Sequence, residues 1–240
     1  MAPKTLAFKC ALVTGGGGGG IGLAMAQHLI SLGKSIILTS ARKSSKEHPE
    51  GDCLINNAAL QRPFDINKFD LENADQEIDI NRPMHLTIGF LEHFKRKEAA
   101  TIVNISSLLG YVPTSIISPL YNATKAWVHF WTMNSRTQLG SDEGGRNSKV
   151  VEVAPPTVAT NLHRDRKGAD DNKKATNLNA LELPEFMKFV AKGWEQDKGT
   201  IGAGRSAGVV DRWYVAFEED YREAASGQEV VGVPDKKRNE

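Results

Sequence analysis

The 240 residues carry 30 Lys+Arg against 29 Asp+Glu, a formal charge of +1, with 40% hydrophobic and 25% charged residues. That balance leaves no bulk basic field for nucleic acid or an anionic membrane. No apolar run approaches the ~18 residues that span a bilayer, and the segment Met1 to Lys9 lacks the apolar core of a secretory signal. The expectation is one globular, cytoplasmic domain with no metal site: Cys10 and Cys53 both open apolar stretches, where a buried reduced thiol outweighs a disulfide, and the Cys/His spacing makes no zinc pattern. Six of the 22 glycines are consecutive.

In chain order, Phe8 to Val13 reads as a strand that runs into Thr14 and the glycines. Ile21 to Leu32 has helical spacing and is stopped by Gly33. Ser35 to Thr39 is a second strand, so the opening is a βαβ unit. Ser40 to Asp52 is polar and reads as a loop. Cys53 to Ala58 is a third strand. Leu71 to Arg96 is a long helical region, with Pro83 as a candidate bend. Ala100 to Ser106, Leu120 to Leu139 and Lys149 to Ala154 read as strand, helix and strand, the last ended by Pro155 and Pro156. Asn161 to Leu181 is polar, charged and a candidate mobile loop. Leu183 to Trp194 is a short helix, Ile201 to Gly208 holds a last short strand, and Val210 to Ala225 is a terminal amphipathic helix. Residues 1–233 thus form a single domain, with 234–240 as a disordered charged tail. Alternating strands and helices predict an α/β fold with a doubly wound parallel sheet covered on both faces, whose ligands sit at the carboxyl ends of the strands.

Three groups of residues stand at such ends. Thr14 to Gly22 joins the first strand to the first helix. Glycine lets the backbone approach a diphosphate closely, and the helix N-terminus offers free N–H groups. The competing reading, a flexible glycine linker, does not explain the position between an apolar strand and an amphipathic helix. The second strand ends in Ser40, Arg42 and Lys43, with no carboxylate to grip the ribose of NAD. Those groups suit the extra phosphate of NADP, or else form an ordinary solvated basic turn. Tyr121 and Lys125 are four apart, on one helix face. An ammonium beside a phenol favours the phenolate and tunes the phenol for proton exchange with a carbonyl or alcohol. Ser107, at a strand end upstream, could hydrogen-bond the substrate oxygen, and Asn81 could hold a water or a carbonyl in a proton relay.

Together these motifs resemble the classical short-chain dehydrogenase/reductase family. The matching pieces are the Thr14–Gly22 loop, Asn56-Asn57-Ala58-Ala59, Asn81, Asn104-Ile105-Ser106-Ser107, Tyr121-x-x-x-Lys125 and Pro155-Pro156-Thr157-Val158-Ala159-Thr160, in the family's order over residues 8 to about 162. The resemblance implies a Rossmann-type sheet and hydride transfer between a nicotinamide and a carbonyl or alcohol carbon. It implies an Asn81–Ser107–Tyr121–Lys125 tetrad with Tyr121 as acid/base. Lys125 and Tyr121 would also meet the nicotinamide ribose. Thr14, Gly15, Gly20, Ile21 and Gly22 would hold the diphosphate, Asn57 would support that side of the sheet, and Val158 and Thr160 would lie near the carboxamide and diphosphate. The expected cofactor is NADP(H), the partners a small carbonyl or alcohol substrate and a second copy in a homodimer or homotetramer. Trp127, Phe130 and Trp131 provide apolar helix surface for that contact, unless they pack internally.

The chain departs from the family at four places. One glycine is extra between Gly15 and Gly20. Ala59 replaces a glycine, which costs about 1 kcal/mol if the position requires positive φ. The serine-to-tyrosine spacing is one longer, with the surplus expected in Leu108 to Pro119, and Pro156 replaces a glycine. Between the second and third strand candidates the family places helix, strand and helix. Here Ala41 to Asp52 remain, whose extended reach is at most ~40 Å. The expectation is a sheet without its usual edge strand, an adenine pocket open on one side and a weaker cofactor grip. The alternative function is a catalytically impaired cofactor-binding or scaffold relative, or a truncated splice or gene-model product.

Overall fold

The computed structural model describes residues 4–39, 47–68, 72, 74–75, 81–142, 144–164 and 166–226, with backbone alone at 68, 81 and 82. Ser40, Arg42, Lys43 and the tail 234–240 lie outside the described residues.

The apolar runs become six parallel strands among the described residues: β1 Cys10–Thr14, β2 Ser35–Thr39, β3 Cys53–Asn56, β4 Ala100–Ile105, β5 Ser148–Ala154 and β6 Thr200–Gly202. Their order in the sheet is β2-β1-β3-β4-β5-β6. Helices α1 (Ile21–Ser31), α2 (Asn81–Phe94), α3 (Pro119–Ser141), α4 (Leu183–Glu195) and α5 (Arg205–Ser226) follow the strands. Every residue of β1, β3 and β4 is buried, which is why these strands are apolar throughout rather than alternating. Successive side chains still part to opposite faces. Ala11, Val13, Ile55, Val103 and Val153 pack with Met25 and Leu29 of α1 and Phe186, Val190 and Trp194 of α4. Leu12, Leu54, Ile102 and Val150 pack with Leu86, Phe90 and Phe94 of α2 and Leu139 of α3. Two cores on two faces make the sheet doubly wound.

Among the described residues the order places no strand outside β2, the arrangement expected from the shortened connection. β2 is the edge, and Leu38 on it is 50% exposed. The short connection from β2 must pass β1 and re-enter at β3, and its end is stapled to the sheet. Both Asp52 carboxylate oxygens accept from Lys9 N at 2.9 Å, and Oδ1 also accepts from Cys10 N at 2.7 Å. His93 Nε2 lies 2.8 Å from the Gly51 carbonyl, and Lys97 Nζ donates to Pro49 O.

Most element bounds agree with the sequence expectations within two residues. The helix expected from Leu71 is described from Asn81 to Phe94, and three further points differ. Pro83 falls in the first turn of α2 rather than at a bend, where its missing N–H costs no hydrogen bond. Helix α5 starts at Arg205, five residues early, because Ser206 Oγ accepts from Ala203 N and donates to Ala154 O and so anchors the turn after β6. Finally, the polar stretch 161–181 is tied down. Val158 bridges Leu181, buried Asn172 donates to the carbonyls of Val158 and Thr160, and Lys173 Nζ donates to Thr160 O at 2.6 Å.

Candidate active site

The carboxyl ends of β1, β3, β4 and β5 converge on one edge, and the motif residues stand there. After β1 the glycines make a short 3-10 turn, Gly16–Gly18, before α1 begins at Ile21. Gly15 has φ of 69°, and a Cβ on it would lie 2.9 Å from Ala58 Cα. A Cβ on Gly22 would lie 2.5 Å from Asn57 Nδ2 and 3.0 Å from the Gly15 carbonyl. Both positions therefore demand glycine, one for its dihedral and both for space. Asn57 holds the loop from below: its Nδ2 donates to Thr14 O at 3.0 Å and Gly15 O at 3.2 Å. Thr14 Oγ1 accepts from Asn57 N and Ala58 N and donates to Ile55 O. No side chain caps α1, whose N-cap is Gly20. Its first N–H groups thus face an open loop, an arrangement that suits a diphosphate.

The strand-end loop after β5 closes over this one. Thr160 is buried, and a Cβ on Gly20 would stand 3.8 Å from Thr160 Cβ. Asn161 Nδ2 donates to Gly18 O at 3.2 Å. Val158 is buried and paired with Leu181. The extra glycine has found space: nothing lies within 4 Å of a Cβ on Gly17 or Gly18.

Tyr121 and Lys125 lie in the first two turns of α3, each about 6% exposed. Lys125 Nζ donates to Ile105 O, the last residue of β4, at 2.6 Å, and stands 5.5 Å from the Tyr121 ring centroid. Burial lowers the Lys125 ammonium from 10.5 to about 8, and the charge of Glu152 opposes that fall. Ser107 follows β4 by two residues and caps a 3-10 turn, Leu108–Gly110, by accepting from Leu109 N at 3.1 Å. That turn lies directly on α3, since a Cβ on Gly110 would meet Lys125 O at 2.6 Å. Strand end, turn and helix thus meet here: Lys125 is fixed on the last residue of β4, and the turn that Ser107 caps packs on the Lys125 helix. Asn81 opens α2. Asn56 Nδ2 joins Thr87 Oγ1 of α2 to Asn104 Oδ1 of β4, so α2 is tied to the same sheet edge. A small cavity of about 30 Å³ opens between Thr14, Asn56, Ile105 and Lys125. A wider apolar cleft of about 400 Å³ between α1 and α4 borders Gly19 and Gly20 and is lined by neither Tyr121 nor Lys125.

Ser40, Arg42 and Lys43 are outside the described residues, so the basic turn has no place in this geometry. Sequence reasoning passed over two other groups. Arg166 donates to Ser118 Oγ, just before the Tyr121 helix, and to Asp171, which also pairs with His163; His163 in turn meets Gln61. Glu152 and His129 are fully buried behind the site. Their signal was available: a glutamate inside the apolar run Val150 to Ala154 is a buried charge, and His129 is one helical turn beyond Lys125.

A family model described as short chain dehydrogenase matches residues 42–171. The chain belongs to the short-chain dehydrogenase family. It is similar to an uncharacterized oxidoreductase, DltE, of Bacillus subtilis, at 27% identity over 236 residues, covering 83% of this chain and 90% of that one. Among solved structures it shares its fold with a short-chain dehydrogenase from Sphingobium yanoikuyae in complex with NADPH (TM-score 0.74, 19% identity, 95% of this chain and 99% of that one). A 3-ketoacyl-(acyl-carrier-protein) reductase from Brucella melitensis complexed with NADH is also similar (TM-score 0.67, 21% identity, 84% and 99%).

This short-chain dehydrogenase carries its Ala59 without strain. Among the described residues Asp197 alone is a non-glycine with positive φ, so no penalty falls on Ala59. Family residues for a nicotinamide cofactor are present, and the uncapped N-terminus of α1 fits its diphosphate. No described helix is long and apolar enough to cross a membrane.

Proposed function

We propose that this short-chain dehydrogenase is an NADP(H)-dependent carbonyl reductase or alcohol dehydrogenase with Tyr121 as its acid/base. The observation that carries the reading is the buried Tyr121–Lys125 pair at the end of β4, with Lys125 Nζ fixed on Ile105 O. The bound nicotinamide supplies or accepts the hydride. Thr14, Gly15, Gly20, Ile21, Gly22 and Thr160 would hold its diphosphate, Asn57 keeps their loop in place, and Val158 would flank the carboxamide. Ser40, Arg42 and Lys43 favour NADP(H) over NAD(H) by charge. Structural relatives in complex with NADPH and with NADH support the nicotinamide and leave the preference to that charge. Tyr121 gives its phenolic proton to a carbonyl oxygen, or takes one from an alcohol. The Lys125 charge lowers the cost of the phenolate, Ser107 Oγ hydrogen-bonds the reacting oxygen, and Asn81 serves the proton relay. The substrate is a small carbonyl or alcohol compound.

The test is NADPH oxidation with a panel of ketones, quinones and aldehydes, with NADH in parallel. Turnover is expected with NADPH preferred, and Tyr121→Phe should lose about 10²–10⁴-fold, the usual span of general acid–base catalysis. Equal inertia of wild type and Tyr121→Phe, both folded, would leave the second reading, an impaired cofactor-binding relative. The exposed edge at β2 is what favours that reading.

A further inference from the structure

Behind the site lies an acid–imidazole pair that the reaction does not consume. Glu152, on β5, is fully buried and faces α3 among apolar neighbours. Its Oε1 accepts from Ser106 Oγ at 2.5 Å, and its Oε2 is 2.9 Å from His129 Nδ1. Both carboxylate oxygens are thus acceptors, as in an ionised group, and the acceptor assigns the Nδ1–H tautomer to His129. His129 Nε2 is buried and has no hydrogen-bond partner among the described residues. The imidazole is held instead by rings: Tyr111 at a centroid distance of 4.1 Å and Trp213 of α5 edge-on at 4.5 Å.

The connections of this pair are specific. Ser106 is flanked by Ile105, whose carbonyl holds Lys125, and by Ser107. His129 is one turn from Lys125 and two from Tyr121 on the same helix. One carboxylate therefore ties the strand end that bears Ser107 to the helix that bears Tyr121 and Lys125. We propose that Glu152, clamped by Ser106 and His129, is the buried counter-charge of Lys125 and the group that sets the Ser107 strand end against the Tyr121 helix. The three are positioning residues, and the inference rests on Tyr121 and Lys125 being the proton-handling pair.

The other groups around the clamp do not supply this charge. Tyr121 and Arg136 lie on α3, Tyr111 on the turn after β4, and Tyr214 on α5. Burial, followed by the charge of Glu152, pushes the Tyr111 phenol far above its usual range, so it stays neutral. Arg136 is a cation engaged with Val150 O and Gly199 O. Among the groups acting on Lys125, Glu152 is the one that opposes the loss of its proton. Without that charge, burial alone acts, and the ammonium is lost at lower pH.

The experiment reads Lys125 directly, by isotope-edited NMR of the lysine side chains across pH, with Lys125→Arg assigning the resonance. It needs neither cofactor nor substrate. The wild-type midpoint is expected near 8. Glu152→Gln should move it down by about one pH unit. His129→Asn should move it the same way by less, and Glu152→Asp should return most of the loss. A folded Glu152→Gln with an unchanged midpoint overturns the proposal. If Glu152→Gln does not fold, Ser106→Ala and His129→Asn, which each remove one bond of the clamp, decide the matter: a downward shift in both supports it, no shift in either overturns it. Activity is a separate readout. Turnover that survives Tyr121→Phe would overturn the reading of Tyr121 and Lys125 as the proton-handling pair, even where the NMR midpoint responds to Glu152.

Discussion

Lys125 is placed where its charge is costly and useful at once. Burial lowers its ammonium from 10.5 to about 8. A base with a lowered folded value binds fewer protons in the folded than in the unfolded state between those two limits, so stability rises with pH through that window. Below about 8 the folded protein bears the full cost, on the order of 3 kcal/mol. Wild-type Tm should therefore climb by several degrees between pH 8 and 10.5, and Lys125→Met should lack that rise. Thermal melts at several pH values check this. The same variant should lose activity, as stability and catalysis pull apart at a charged buried site, and wild-type activity should fall above pH 8 as Lys125 sheds its proton. The glycines make a second residue-scale contrast. Gly22→Ala would drive a Cβ to 2.5 Å from Asn57 Nδ2, whereas Gly17→Ala meets nothing within 4 Å. NADPH titration should show Gly22→Ala weakened by about tenfold or more, equivalent to ~1.4 kcal/mol, and Gly17→Ala near wild type.

At the scale of elements, the shortened crossover is the distinctive feature. A parallel connection must pass over its neighbour strand, and here β2 ends at Thr39 while β3 starts at Cys53 on the other side of β1. Asp52 secures its end by accepting from two backbone N–H groups at the start of β1. Asp52→Ala should cost about 2 kcal/mol, the usual penalty for buried donors left unpaired, seen as a lower urea midpoint with an unchanged slope. The 161–181 segment gives the opposite lesson. Its charge suggested mobility, yet Asn172 and Lys173 bind the carbonyls of Val158 and Thr160 and hold it across the β5 loop. Composition reports the absence of an apolar stripe, and it is blind to hydrogen bonds between a side chain and a distant backbone.

For the molecule as a whole, the covering of the sheet is uneven. The face with α3 and α5 presents Phe130 and Phe217, 53% and 51% exposed, around Trp213, while Trp127 stacks on Trp131. An apolar patch of this kind on a charged surface is suited to a second copy. We expect a homodimer or homotetramer by light scattering. Phe130→Glu with Phe217→Glu should shift it to the monomer by placing like charges in the contact, and a mass unchanged by the pair would remove this face as the interface.

The amino-acid sequence by itself determined the strands, the helices and the line of motifs, because apolar periodicity and glycine or proline punctuation act over a few residues. The shortened connection between Thr39 and Cys53 was legible too, and among the described residues no strand lies outside β2. Tertiary structure decided what distance in the chain conceals. It put Ala59 in an unstrained conformation, laid Thr160 and Asn161 against the glycine loop, and fixed buried Lys125 on the Ile105 carbonyl. The turn that Ser107 caps and the helix of Tyr121 and Lys125 meet through the packing of a strand end, a turn and a helix. Burial and charge at any one residue are set by segments far along the chain, and no local pattern records which segments those are.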